Sequence, residues 1–297
     1  MQTLAPVESL FKTRIECIAD LPVLPQVHMQ AMSIATDPNG NAYQLQEVLR
    51  HDPALTAMIL KVANSAYYGF SRKIETLRTA LVMLGTSEII RLVSTTALIS
   101  TFKENKLHSK FDFYKFWEHS VAVAEVSSHF SKELNLPVSG DVYTGGLLHD
   151  VGSLLLASYF QPEYEMAYDL AEERSLSMRE AEDFTLGIDH ASVGSLLAQQ
   201  WNLPDSLSTI VRNHHDPTKA KSHFLAISIV YLANRICNHK ELRQFPGNTE
   251  RPVEFDPAWR VLASRILPQK MDVREMISST EPVLDRAKEF ISSMLSN

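Results

Sequence analysis

Apolar positions along the chain recur at spacings of three and four, the repeat of a helix with one buried face. Leu55, Ile59, Leu60 and Val62 mark such a face in a helix that opens at Asp52-Pro53 and runs to Ala63-Asn64. There an N-cap is followed by proline at the first helical position, where its missing N–H costs little. The same pattern predicts helices over 26–36, 43–50, 76–84, 86–102, 113–135, 141–160, 163–174, 178–185, 190–201, 204–214, 224–239 and 257–266. A short amphipathic helix over 7–18 precedes them and two more follow near the C-terminus. Between these, Leu21-Pro22-Val23-Leu24-Pro25 is held extended by its prolines, and Asp37-Pro38-Asn39-Gly40 is turn chemistry throughout. No run of six or more residues alternates with period two between turns. The pattern therefore predicts an all-α protein with no important sheet. The stretch 241–256 contains Pro246-Gly247-Asn248 and Pro252 and is the most loop-like, which sets off the helices after it as an appendage.

Composition narrows the class. Only 10 of 297 residues are glycine, about half the usual share of roughly 7%, which disfavours turn-dense sheets and barrels. With 45% hydrophobic and 21% charged residues the chain can bury a large core and is not disordered. Its net charge of -7 disfavours a protein whose main task is to hold a nucleic-acid backbone. Lys103, Lys106, Lys110 and Lys115 read as a solvated connection, and Met29, Met32, Met58 and Met83 as core fillers. The glycines of 140–146 lack the Gly-Lys-Ser/Thr ending of a phosphate-binding loop. Cys17 and Cys237 lie far apart with no CxxC spacing, so no disulfide framework or thiolate zinc site is signalled and a reducing cytoplasm fits best. The first 13 residues show no basic start and greasy core, so no signal peptide is read. No apolar run reaches the length needed to span a membrane.

Two ordered blocks carry a family resemblance. The first comprises Leu21-Pro22-Val23-Leu24-Pro25, then Asp52-Pro53-Ala54-Leu55 through Ile59-Leu60-Lys61-Val62-Ala63-Asn64-Ser65-Ala66-Tyr67-Tyr68-Gly69, then Ile74, Leu77, Ala80 and Leu84-Gly85. The second holds Trp117-Glu118-His119-Ser120, Gly145-Gly146-Leu147-Leu148-His149-Asp150-Val151-Gly152, His190-Ala191-Ser192-Val193-Gly194 and His214-His215. From about Leu21 to Pro217 the chain resembles the HDOD domain, a bacterial signalling module related to the HD phosphohydrolase superfamily. The resemblance implies a multi-helical HD-like bundle in two lobes, 21–110 and 111–239, with a leader helix over 1–20 and a helical appendage over 240–297. Within the first block, Asn64 and Ser65 can close a helix by bonding free carbonyls, and Gly69 permits a left-handed turn. Tyr67 and Tyr68 suit either a helix end packed on its neighbour or a partner surface.

The chemistry sits in the second block. By helical spacing His119 shares a face with Ala122, Val123, Val126 and Phe130, His149 with Gly145, Gly146, Ser153 and Leu156, and His190 with Val193, Leu197 and Trp201. Three helices thus each offer an inward histidine, and the His149-Asp150 pair adds an oxygen donor, a set suited to Fe, Mn, Zn or Ni. Position by position, the resemblance implies His119, His149 and Asp150 as metal ligands, with His190, His214 and His215 as additional ones. The superfamily's closing aspartate corresponds to Asn234, which offers a carbonyl oxygen without charge. Ser153 stands where active relatives often carry lysine, and no Gly-Tyr-Pro element follows His214-His215-Asp216-Pro217. The cluster can therefore be read as a divalent-metal site or as a relict satisfied by Asp150, Ser120, backbone and water. The function implied is a non-catalytic, cytoplasmic regulatory module acting on a protein partner, with a retained metal or small-ligand pocket. The alternative is a metal-dependent phosphohydrolase acting on a nucleotide or other phosphoester.

Overall fold

In a computed structural model, the structure describes residues 13–15, 21–36, 41–103, 107–136, 139–240, 242, 244–245, 259 and 273–295. The turn at 37–40 and most of the helices expected over 7–18 and 257–266 lie outside the described residues. The described part is helical, without a strand: α1 (Gln26–Thr36), α2 (Ala42–Leu49), α3 (Pro53–Ala63), α4 (Leu77–Leu84), α5 (Thr86–Lys103), α6 (Phe113–Glu133), α7 (Ser139–Leu148) and α8 (Val151–Tyr159). There follow α9 (Gln161–Arg174), α10 (Met178–Leu186), α11 (His190–Gln200), α12 (Asp205–Asn213), a 3-10 turn (Pro217–Lys219), α13 (Phe224–His239), α14 (Val273–Ser278) and α15 (Glu281–Leu295). The chain divides into two compact units, one of residues 22–104 with 282–297 and one of residues 1–21 with 105–281.

The unit of residues 22–104 starts its helices with side-chain caps. Asn41 and Gln44 form a reciprocal capping box on α2, Asp52 accepts from Leu55 N above Pro53 of α3, and Thr76 accepts from Thr79 N on α4. Asn64 closes α3 as its sequence suggests. Its Nδ2 donates to Leu60 O (2.7 Å) and Ile74 O (2.8 Å), and its Oδ1 accepts from Ile74 N (2.8 Å). One amide thus ties a helix end to the segment that leads into the next helix. Gly69 is left-handed at φ 58°, and Gly85 ends α4 at φ 84°, where α4 and α5 meet in a 115° bend. Tyr67 packs on Phe290 of α15 with ring centroids 5.3 Å apart, and the Tyr68 hydroxyl donates to Glu88 (2.7 Å). Both tyrosines are therefore engaged within their unit. Leu45, Leu49, Leu55, Ile59, Val62, Ile89 and Leu92 form the core. Met83 departs from the core role expected of it: at 53% exposure it faces outward beside Val82.

The larger unit is built around α6, whose Phe116, Trp117, Val121, Val123, Val126 and Phe130 are buried. Each fully buried large side chain of this kind contributes roughly 1.5–3 kcal/mol relative to exposure. Helices α7 and α13 pack on α6, and α11 packs on α8 and α12. The α8–α11 contact depends on Gly152, because a Cβ there would lie 2.0 Å from His190 O and 2.6 Å from Gly194 N. No single described helix is long and apolar enough to cross a membrane.

Candidate metal centre

The helix expected over 141–160 is broken. It ends as α7 at Leu148 and restarts as α8 at Val151, leaving His149 and Asp150 in the turn between. His149 consequently does not share a continuous helical face with Ser153 and Leu156. At the break Asp150 stands at the N-cap of α8 with φ -104° and ψ 13°, yet makes no side-chain cap bond. Its carboxylate turns instead toward a ring of imidazoles. His119 and His190 keep the faces their spacing predicts, since Ala122, Val123, Val126 and Phe130 on α6, and Val193 and Leu197 on α11 with Trp201 at its C-cap, are all buried.

Asp150 organises the centre. Its Oδ2 lies 3.0 Å from His149 Nε2 and 4.0 Å from His119 Nε2, and its Oδ1 lies 3.2 Å from His190 Nε2 and 3.1 Å from His214 Nε2. His215 joins through Nε2, 2.7 Å from His190 Nε2. All six residues expected from sequence thus come together, in two groups that share Asp150: His119 and His149 on one oxygen, His190, His214 and His215 toward the other. Asn234 joins the first group, its Oδ1 3.1 Å from His119 Nε2.

The outer ring nitrogens show how the imidazoles are oriented. Nδ1 of His119 faces Leu242 O, that of His149 faces Gly146 O and that of His214 faces Val211 O, each at 2.7 Å. His190 Nδ1 lies 2.5 Å from Glu182 Oε2. A carbonyl oxygen only accepts, so Nδ1 of His119, His149 and His214 carries a proton, and each of these rings in its neutral form points the Nε2 lone pair inward. Lone pairs then face a carboxylate, an arrangement that favours a cation between them. His149 Nε2, His214 Nε2 and Asp150 Oδ1 are buried atoms with no hydrogen-bond partner, as ligands oriented by outer contacts would be. Donor spacings of 3.0–3.2 Å about Asp150 are those of adjacent ligands about one ion with bonds of about 2.1 Å. The residues present therefore fit a divalent metal. Ser120, expected as a satisfying partner, does not act as one: its buried hydroxyl has no hydrogen bond.

Charge follows from burial. Desolvation lowers the His119 pKa to about 4, with His149 adding to the effect, and likewise lowers His214 and, further, His215. Desolvation would also lower His190, but the carboxylates of Glu182 and Asp150 outweigh it and hold its pKa well above 6.5. Burial tends to raise Asp150, yet His149 and His190 bring it well below the ordinary carboxylate range. Burial raises Glu182.

Glu182, Leu242 and Gln244 escaped the sequence reading. Glu182, fully buried on α10, binds both Nδ1 and the backbone N of His190. A signal for it existed, because it lies on the same stripe as the buried Met178, Ala181 and Leu186. Gln244, whose Nε2 donates to Asp150 Oδ2, lies outside any periodic segment and carried no such signal.

A family model of the HDOD domain matches residues 21–217. Among solved structures, an HDOD domain protein of unknown function from Geobacter sulfurreducens superposes with TM-score 0.86 at 23% identity, covering 98% of this chain and 98% of that one. A candidate signal transduction protein from Marinobacter aquaeolei VT8 gives TM-score 0.77 at 19% identity, over 99% of this chain and 62% of that one. A candidate metal-dependent phosphohydrolase from Shewanella amazonensis SB2B gives 0.63 at 19%, over 97% of each. These likenesses are of fold. An uncharacterized protein of Treponema pallidum (strain Nichols) is 24% identical over 223 residues, which are 73% of this chain and 42% of that protein, so the chain spans less than half of that relative's length. With two ordered sequence blocks, a helical fold shared along almost its whole length and a family match over residues 21–217, the chain belongs to the HDOD domain family.

Proposed function

We propose that the protein is a non-catalytic HDOD-type regulatory module that acts through protein contacts in a bacterial cytoplasm and keeps its buried His/Asp centre as a divalent-metal site. The observation that carries this reading is Asn234, whose uncharged Oδ1 stands 3.1 Å from His119 Nε2 where the superfamily's closing carboxylate is expected. The metal is held by His119, His149 and Asp150 with Asn234 in one group, and by Asp150, His190, His214 and His215 in the other. Ser153 supports the absence of phosphoester turnover: it offers no cation for a phosphate, and its hydroxyl is buried without a partner. The free, buried Cys237, whose thiol burial pushes well above the usual range, accords with a reducing compartment.

The reading is tested by metal analysis of the full chain purified without added metal, beside His149→Ala and Asp150→Ala. Metal above about one-tenth equivalent in the parent and absent from both variants supports the site. Less than that in the parent overturns it. Recovery of a reproducible partner from the native host supports the regulatory role, and failure to recover one overturns it.

A second reading has one observation in its favour, the convergence of four imidazoles on one carboxylate. A divalent ion bound there would supply Lewis acidity and a water of lowered pKa, the chemistry of a phosphohydrolase acting on a nucleotide or other phosphoester. The Shewanella amazonensis relative carries such a description. Turnover of a panel of nucleotides and cyclic dinucleotides that vanishes in both variants would replace the first reading with this one.

A further inference from the structure

Gln244 reaches the centre from outside its helices. Its Nε2 donates to Asp150 Oδ2, the oxygen that faces His149 and His119, while its Oε1 is a buried atom with no hydrogen-bond partner. The flanking residues hold it there. Two residues earlier, Leu242 O lies 2.7 Å from His119 Nδ1, and next to it the Phe245 ring lies 6.4 Å from that of His190 and 6.3 Å from that of Phe111. A carboxamide carries a donor and an acceptor at equal reach, and a half-turn about its last bond exchanges them. Toward the bare carboxylate the amine is the favoured end. Toward a cation on that carboxylate the oxygen is, and this turn would give the orphaned Oε1 a partner.

We propose that Gln244 is an internal ligand of the His119–His149–Asp150 group, supplying its carboxamide oxygen at the position a reacting water would need. Catalytic metal sites keep one position open, whereas sites that only support structure are closed by protein ligands. Gln244 makes this group a closed one. The inference rests on the metal reading above and gives it a physical consequence: a bound ion here is shielded from water by the chain itself, independently of the missing carboxylate at Asn234.

The test uses the full chain, Mn²⁺ alone and the relaxation rate of solvent protons, which counts exchangeable waters on the bound ion. In Gln244→Ala the bound ion is expected to gain one inner-sphere water over the parent, with relaxivity rising accordingly. Its affinity for Mn²⁺ is expected to fall by about tenfold or more, the lower end of what loss of a metal-supporting side chain produces. Gln244→Glu, with nearly the same shape and an anionic oxygen, should keep the parent's low relaxivity and bind Mn²⁺ more tightly. Equal relaxivity per bound ion in the parent and Gln244→Ala overturns the inference and leaves the metal reading standing. No Mn²⁺ binding in any of the three proteins overturns both. Should Gln244→Ala not fold, a Gln244→Glu affinity no higher than the parent's overturns the inference.

Discussion

One carboxylate oxygen, Glu182 Oε2, holds His190 at two points, 2.5 Å from its Nδ1 and 2.8 Å from its backbone N. Both side chains are buried, so removing the carboxylate strands a polar ring in the interior. Breaking a buried, hydrogen-bonded pair from one side costs about 3–5 kcal/mol. Glu182→Ala should lose stability of that order in urea unfolding, and Glu182→Gln, which keeps an acceptor, should lose less. A loss below about 1 kcal/mol for the alanine variant, the range of exposed pairs, would show that the pair makes no net contribution.

Asp150 serves both ligand groups with its two oxygens, whereas His119 serves one. Asp150→Ala should therefore abolish metal retention altogether, and His119→Ala should leave part of it. Elemental analysis after identical purification distinguishes the two patterns; equal retention in both variants would contradict the division into groups.

Gly152→Ala should be more damaging than overpacking usually is. The new Cβ meets backbone atoms at 2.0 and 2.6 Å rather than flexible side-chain ends. Inserted methyl groups typically cost about 1–3 kcal/mol, and backbone that cannot yield places this variant at or above the upper end. Gly85→Ala is the informative contrast: nothing lies within 4 Å of its Cβ, but φ is 84° with ψ 161°, a region essentially reserved for glycine, so the penalty is backbone strain alone, about 1–3 kcal/mol. Denaturation midpoints rank the two.

Asn64→Ala removes three hydrogen bonds at once and leaves Ile74 N–H and C=O without the partner that holds them. A loss of about 1–3 kcal/mol is expected. Asn64→Asp should not rescue it, because a carboxylate can still accept from Ile74 N but then confronts two carbonyl oxygens. Thermal melting of the two variants against the parent checks this.

His28 gives the unit of residues 22–104 a pH dependence of defined sign. It is buried, neither ring nitrogen has a hydrogen-bond partner, and burial lowers its pKa below 6.5, against a smaller opposing pull from Asp52. The unfolded chain then binds the proton more readily than the folded one, so stability is full above pH 6.5 and falls as pH drops from there toward the folded pKa. His28→Leu should flatten the unfolding free energy over that interval relative to the parent. A parallel pH profile in the two proteins would remove His28 as the cause.

The sequence disclosed helices and donors more readily than connections. Period-3.6 patterning located α3, α6, α11 and α13 because their apolar stripes are long. His119 and His190 were legible because imidazoles on such stripes face inward, whereas His149, Asp150, His214 and His215 were legible as a set only through the family resemblance. The break at His149-Asp150 was not legible. Leu147-Leu148 and Val151 continue the apolar pattern across it, and the contacts of the Asp150 carboxylate are with imidazoles distant in sequence, which leave no local mark. Gln244 was hidden for a different reason: an amide in an aperiodic stretch has no local signal, and its role arises from a contact 94 residues away in sequence. Met83 read as core because its composition is apolar, but only packing decides which apolar residues face out.

Phe290 rests against Tyr67 across more than two hundred residues of intervening chain, and this redraws where the protein can be cut. The smaller unit takes its last helix from the far end of the sequence, well past the boundary of the family match at residue 217. A fragment trimmed to residues 21–217 would retain the whole family match and still strip that unit of its closing helix, taking Phe290 away from the Tyr67 ring. Because such a fragment also lacks α13, which packs on α6, the clean test is a chain ending at residue 281: it is expected to aggregate more readily than the full chain, and adding residues 282–297 as a separate peptide is the direct way to see the two pieces reassemble.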